Sequence, residues 1–203
     1  MVEAGHIPIV EFGFTPRAFV PPDAGDRFAF EPGSTTQYSE CEAGRWSFPP
    51  KDLARWEELV RATVDHCAKR YGRARVGEWR WEVWNEPDIG YWRGSVEEYL
   101  ALYRRTVEAA RSVLPGARVG GPATTGDLVP LANLQAEGPA YLGRFLDFCV
   151  TNSVPLDFVS FHTKGAYFQP WRGYLPPGER SEPQSPSMVK MLREVRGALK
   201  TFP

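Results

Sequence analysis

Glu86 is the residue of this chain whose setting most suggests proton transfer. It stands in the run "WRWEVWNEPDIGYWRG", residues 79 to 94, between Asn85 and Pro87. Side chains alternate along a strand, so Glu82, Trp84 and Glu86 are expected on one face, with Glu82 about 13 Å deeper than Glu86. A carboxylate that deep must be paired or hydrogen-bonded, and Glu82 is read as the structural partner of an arginine. Glu86 is read at the rim, within reach of a ligand, because Pro87 has no N–H to give and closes the strand. Flanking aromatic side chains disfavour its charged form, which raises its pKa and keeps a proton available near neutral pH. Asn85 offers a donor and an acceptor beside it, which suits a sugar hydroxyl. From the tripeptide alone, a plain turn is an equally good reading.

The elements around this run alternate. Residues 7–14, "IPIVEFGF", read as a first strand. The stretch from Lys51 to Gly72 has Leu53, Trp56, Val60, Val64 and Cys67 at helical spacing, with Gly72 as its stop. Residues 80–84 are a second strand. A second helix starts at Ser95, where Ser95 and Glu98 have capping-box spacing. Its buried stripe is Tyr99, Leu102, Tyr103, Thr106, Val107 and Ala110, and Pro115-Gly116 ends it. Residues 117–121 are a third strand, a helix follows over about 140–151, and residues 156–162 are a fourth strand. A last helix is expected over about 187–201, with Met188, Met191, Leu192, Val195 and Leu199 on one face. Four βα units in this order imply an α/β fold with parallel strands and right-handed crossovers. An open doubly wound sheet and a (β/α)8 barrel both fit, because both collect their functional residues at the C-terminal ends of the strands.

The chain has 203 residues, 42% of them apolar and 24% charged, with a formal net charge of -1. That composition is of a globular domain, without the basic excess of a nucleic-acid binder. No apolar run approaches the roughly 20 residues of a membrane span. No secretory leader is read in "MVEAGHIPIV", so a cytoplasmic location is the default expectation. The three cysteines, Cys41, Cys67 and Cys149, are too far apart to suggest a disulfide scaffold or a zinc site. No G-x-G-x-x-G or phosphate loop follows any strand, so no dinucleotide cofactor is expected, and acid/base chemistry of the kind read at Glu86 needs no metal. Prolines and glycines gather in 15–50, 120–139 and 163–187, loops long enough to be functional.

The string "RWEVWNEPDIGYWRGSVEEYLALYRR…LPGARVGGPAT…LDFVSFH" resembles glycoside hydrolase family 39, whose best-known members are β-xylosidases and α-L-iduronidase. "PIVEFGFTP" looks like that family's third barrel strand, "WEVWNEPD" its fourth, "RVGGPAT" its fifth and "LDFVSFHTKGA" its sixth. The resemblance implies a partial (β/α)8 barrel, strands three to six, filling residues 1–203 as a single incomplete catalytic domain. It implies a retaining glycosidase with Glu86 as general acid/base and Asn85 and His162 gripping the sugar. Tyr91 matches an aromatic that lines the family's sugar pocket, and Trp92 is expected beside it, with a packing role an open alternative. The family's nucleophile is a glutamate at the end of the seventh strand, which has no counterpart here.

Glu11 is the nearest substitute by position and is read as structural; Asp88, Asp127, Asp157 and Glu182 are read as caps, turns or surface charges. Trp46, Tyr167, Phe168, Trp171 and Tyr174 stay unassigned. Thr163-Lys164-Gly165-Ala166 looks more like the iduronidase branch, and a cationic Lys164 would favour a uronic acid. The resemblance as a whole implies a xyloside as substrate, and this departure makes a uronic-acid glycoside the alternative. A fragment that at most binds sugar, and self-association through unpaired sheet edges, complete the expectations.

Overall fold

The computed structural model describes residues 2–20, 45–124, 138–162, 168–169, 173–174 and 196. Four strands, β1 (Ile9–Phe12), β2 (Arg80–Val83), β3 (Arg118–Thr124) and β4 (Phe158–Phe161), form one sheet in the order β1-β2-β3-β4. Every neighbouring pair is parallel. Between them run α1 (Leu53–Tyr71), the single turn α2 (Arg73–Val76), α3 (Val96–Val113) and α4 (Gly138–Thr151). This is the expected succession of βα units. The helix expected over 187–201, apart from residue 196, lies outside the described residues, as do Cys41, Asp127, Thr163, Lys164, Tyr167, Trp171 and Glu182. Within the segment read as a long loop, β5 (Phe168–Gln169) and β6 (Gly173–Tyr174) pair antiparallel. Two residues per strand are too few for alternation to announce them.

Local chemistry sets the helix ends. Asp52 caps α1 by accepting from the N–H groups of Ala54 and Arg55. Gly72 ends it with φ +89°, a conformation that favours glycine, and donates to the Ala68 carbonyl. Ser95 and Glu98 make the expected reciprocal box at the start of α3, with bonds of 2.7 and 3.2 Å.

One face of the sheet packs on the helices. Phe12, Trp81, Val83 and Val119 meet Trp56, Val60 and Val64 of α1, the full expected stripe of α3, and Phe145 of α4 in one core. Trp56 and Thr106 tie α1 to α3 through a buried 2.9 Å hydrogen bond from the indole N–H. The opposite face carries Glu11 and Glu82 side by side in register. At Gly120 a Cβ would stand 2.3 Å from the Phe158 carbonyl oxygen and 2.7 Å from its ring, so only glycine fits there.

β1 and β4 are shorter than the expected 7–14 and 156–162, and two further strand ends differ from the sequence reading where they bear on the site. β3 does not stop at Gly121 but continues through Pro122 to Thr124, with a register shift between Pro122 and Thr124. Pro122 gives no ladder hydrogen bond, and a bulge absorbs the irregularity. β2 stops at Val83, where the backbone turns left-handed: φ is +70° at Trp84 and +50° at Glu86. The alternation that was to put residues 82, 84 and 86 on one face therefore ends before it reaches Glu86.

Candidate active site

Left-handed backbone at a bulky residue is costly, on the order of 1–3 kcal/mol per residue. The surroundings of Trp84 supply the compensation. Its indole is fully buried, edge-on to Phe14 and Trp92 and tilted against Trp56. Burying a side chain with about 200 Å² of apolar surface contributes roughly 5 kcal/mol, which exceeds the strain. Its backbone N–H donates to Phe12, and its indole N–H donates 3.0 Å to the Tyr91 carbonyl, which closes the 84–91 segment on itself.

That closure sets Glu86. Its backbone N–H donates 2.9 Å to the Ala123 carbonyl of β3. Its carboxyl Oε1 lies 2.8 Å from Nδ1 of His162, just past the end of β4. His162 is held by its own N–H, 2.7 Å from the Thr124 carbonyl. An acid from one strand and an imidazole from the next but one thus meet across β3. The histidine touches the acid itself, a partner that the sequence reading did not name.

Glu86 is more enclosed than a rim position implies: it is 3% exposed, whereas the His162 side chain is 39% exposed. The site opens on the histidine's side. Asn85 is half-buried beside the acid, and its carboxamide makes no hydrogen bond among the described residues.

Tyr91 joins two other half-buried rings. Its centroid is 5.9 Å from Phe14 and 5.5 Å from Trp46, and Phe14 and Trp46 are 4.2 Å apart. These three come from the segments that follow β1, precede α1 and follow β2. Phe14 was not singled out in the sequence; the run Gly13-Phe14-Thr15-Pro16 directly after a strand was the available signal. Trp92 is placed elsewhere. It is 6% exposed, edge-on to Trp84 and Tyr99, and its indole N–H donates 2.8 Å to the Ser95 carbonyl. It packs behind the site and does not face it.

The remaining acids divide. Glu82 has no arginine partner among the described residues, contrary to expectation, and faces Glu11 instead. Glu11 has its carboxyl raised above the usual range, first by partial desolvation, then by the charges of Glu82 and Glu86, with His162 acting the other way. Asp157 is structural: it accepts from Arg111 at 3.0 and 2.9 Å and from the Val119 N–H at 2.7 Å. Asp88, in the turn after Pro87, is buried. Among the described residues no group of three or more His, Cys, Asp or Glu is placed to hold a metal ion, and no helix is long and apolar enough to cross a membrane.

Comparison with known proteins gives this arrangement its context. The family model "Glycosyl hydrolases family 39" matches residues 1–202. A β-xylosidase of Geobacillus stearothermophilus is 33% identical over 202 residues, 97% of this chain and 35% of that protein. An α-L-iduronidase of Drosophila melanogaster is 33% identical over 123 residues, 54% of this chain and 19% of its own length. Among solved structures, a monomeric β-xylosidase from Caulobacter crescentus superimposes with a TM-score of 0.68 at 30% identity, covering 100% of this chain and 36% of that one. The chain thus spans about a third of the length of the β-xylosidases it matches.

Proposed function

The chain belongs to glycosyl hydrolases family 39, and from that premise we propose that it carries the acid/base half of a retaining, β-xylosidase-like active site. Glu86 gives its proton to the glycosidic oxygen as the bond to the sugar breaks. It then takes a proton from the water that releases the sugar. His162 fixes the plane of the carboxyl through Oε1. Asn85 binds a sugar hydroxyl, and Tyr91 offers its ring to the C–H face of the pyranose. Trp92 acts from behind, by holding Trp84.

Retention needs a second carboxyl about 5–5.5 Å from the first. In this reading it is the glutamate that the family carries on its seventh strand, and Glu11 and Glu82 remain framework residues. The observation that carries the reading is the 2.8 Å pair of Glu86 and His162, set beside Asn85 at the C-terminal ends of parallel strands. The β-xylosidase branch is preferred because its relative aligns over 97% of the chain, against 54% for the iduronidase. A uronic-acid glycoside is the second candidate substrate, supported by Lys164-Gly165-Ala166 in the sequence. Self-association is a further proposal, through the outer edge of β1, where Ile7 and Ile9 are exposed.

The test is hydrolysis of nitrophenyl β-xyloside and of an aryl α-iduronide by the protein at its full length. Turnover of the xyloside that falls by about 10²-fold or more in Glu86→Gln supports the proposal. Preference for the iduronide would transfer it to the other branch. Undiminished turnover in Glu86→Gln would end the assignment of the acid.

A further inference from the structure

The position of Glu86 depends on a place where the β-ladder fails. β2 and β3 are in register from Arg80 opposite Arg118 to Glu82 opposite Gly120. The N–H groups of Arg80 and Trp84 point to β1, at Pro8 and Phe12. The carbonyl of Val83 therefore points to β3. One step further along that register, its donor would be residue 122, and Pro122 has no N–H. A carbonyl at a residue 0% exposed needs another donor.

Tyr99 of α3 supplies it. Its hydroxyl donates 3.0 Å to the Val83 carbonyl from a wholly buried position. Gly121 makes the approach possible: a Cβ there would lie 3.3 Å from that hydroxyl and 3.3 Å from the Val83 oxygen. Beyond Pro122 a hydroxyl again takes part in the sheet, this time as acceptor: the Ala123 N–H, at the bulge, donates 3.2 Å to the Ser160 hydroxyl. Ala123 then accepts from Glu86, and Thr124 accepts from His162.

We infer that Tyr99 and Ser160 are positioning residues for Glu86: their hydroxyls replace the strand hydrogen bonds lost around Pro122 and thereby set the acid's carboxyl against His162. Neither residue faces the sugar in this scheme. Tyr99 fixes the last carbonyl before the left-handed turn at Trp84, and Ser160 fixes the backbone unit on which Glu86 hangs. The inference rests on the reading of Glu86 as the general acid.

The experiment compares kcat/KM of the full-length protein on two β-xylosides, one with a poor leaving group (an alkyl alcohol) and one with an activated one (dinitrophenol). The activated group departs without a proton, so displacement of the acid affects only the poor one. Loss of folded protein lowers both equally. Tyr99→Phe and Ser160→Ala are each expected to lose about tenfold to a hundredfold on the alkyl xyloside, with the dinitrophenyl xyloside within about twofold of the parent. Glu86→Gln, run in parallel, is expected to show the same selectivity more strongly. If Tyr99→Phe does not fold, Ser160→Ala carries the test, because its hydroxyl lies outside the helix core. A folded variant with the parent's ratio of the two rates overturns the inference while Glu86→Gln still shows selectivity. Should Glu86→Gln itself keep the parent's ratio, the reading of the acid fails first, and the inference with it.

Discussion

Asp157 is the point at which the sheet beneath the site can be broken most selectively. It stands one residue before β4, the strand that His162 directly follows, and its carboxylate accepts from Arg111 of α3 and from the Val119 N–H of β3. Replacing it with alanine removes two different terms. Val119 is fully buried, so its N–H, left without an acceptor, costs about 1–3 kcal/mol. The ion pair with Arg111, in which Nη2 alone donates to both carboxylate oxygens, is partly screened, since the two side chains are 31% and 30% exposed, and it contributes about 1 kcal/mol. Asp157→Ala should therefore destabilise by about 3 kcal/mol. Asp157→Asn keeps an oxygen for Val119 but loses the charge, and should cost about 1 kcal/mol. Arg111→Met should cost a similar amount, and the double variant should show a coupling near 1 kcal/mol. Urea unfolding followed by circular dichroism measures all of these. An Asp157→Ala protein within about 0.5 kcal/mol of the parent, or strict additivity with Arg111→Met, would refute the reasoning.

Other consequences are open to measurement. Gly120→Ala places a methyl group against a backbone carbonyl that cannot move aside, and should cost about 3 kcal/mol or prevent folding; a melting temperature equal to the parent's would contradict the packing. Burial pushes the Cys149 thiol up to about 12 and the Tyr99 and Tyr103 hydroxyls well above their usual value. Each group is kept neutral by the fold, so its stabilisation is complete below its unfolded pKa, about 8.5 for the thiol and 10 for the phenols, and is lost as pH rises through the folded value. The urea midpoint should fall progressively above about pH 9, less steeply in Cys149→Ala; a flat profile to pH 11 would count against it. Glu11 is also raised, so its contribution is favourable in acid and lost as pH climbs. Glu11→Gln should therefore stabilise the protein at pH 7, and the gain should vanish below about pH 4.5; a loss of stability at pH 7 would show that the carboxylate is held by a partner.

What was legible in the sequence was local. The box at Ser95 and Glu98 and the stripe from Tyr99 to Ala110 each depend on residues three or four apart, and all formed as read. The succession of four βα units followed from the same periodicities, whereas their sequential order in one sheet was expected only from the family resemblance. What was not legible depends on distant residues. The turn at Trp84 is set by Phe12, Trp56 and Tyr91 together, so an extended reading through Glu86 was natural and incorrect. Pro122 resembled a strand end because the hydroxyl that replaces its missing donor comes from a helix 23 residues earlier in the chain. The pair of Glu86 and His162 spans 76 positions, and nothing in either neighbourhood announces it. Glu82 was given an arginine by the general rule for deep carboxylates, yet its side of the sheet is only half-buried and the rule did not bind there.

Chemical rescue of Glu86→Ala tests the central claim most directly. With the acid/base removed and an activated dinitrophenyl β-xyloside as substrate, the sugar should transfer to the retained nucleophile, and its release should then stall for want of a base. Azide needs no base, so adding it to the full-length variant should restore turnover and yield β-xylosyl azide, with the configuration of the substrate kept. A variant that azide does not accelerate, or one that turns over an alkyl xyloside at the parent's rate, would show that residue 86 does not handle the proton.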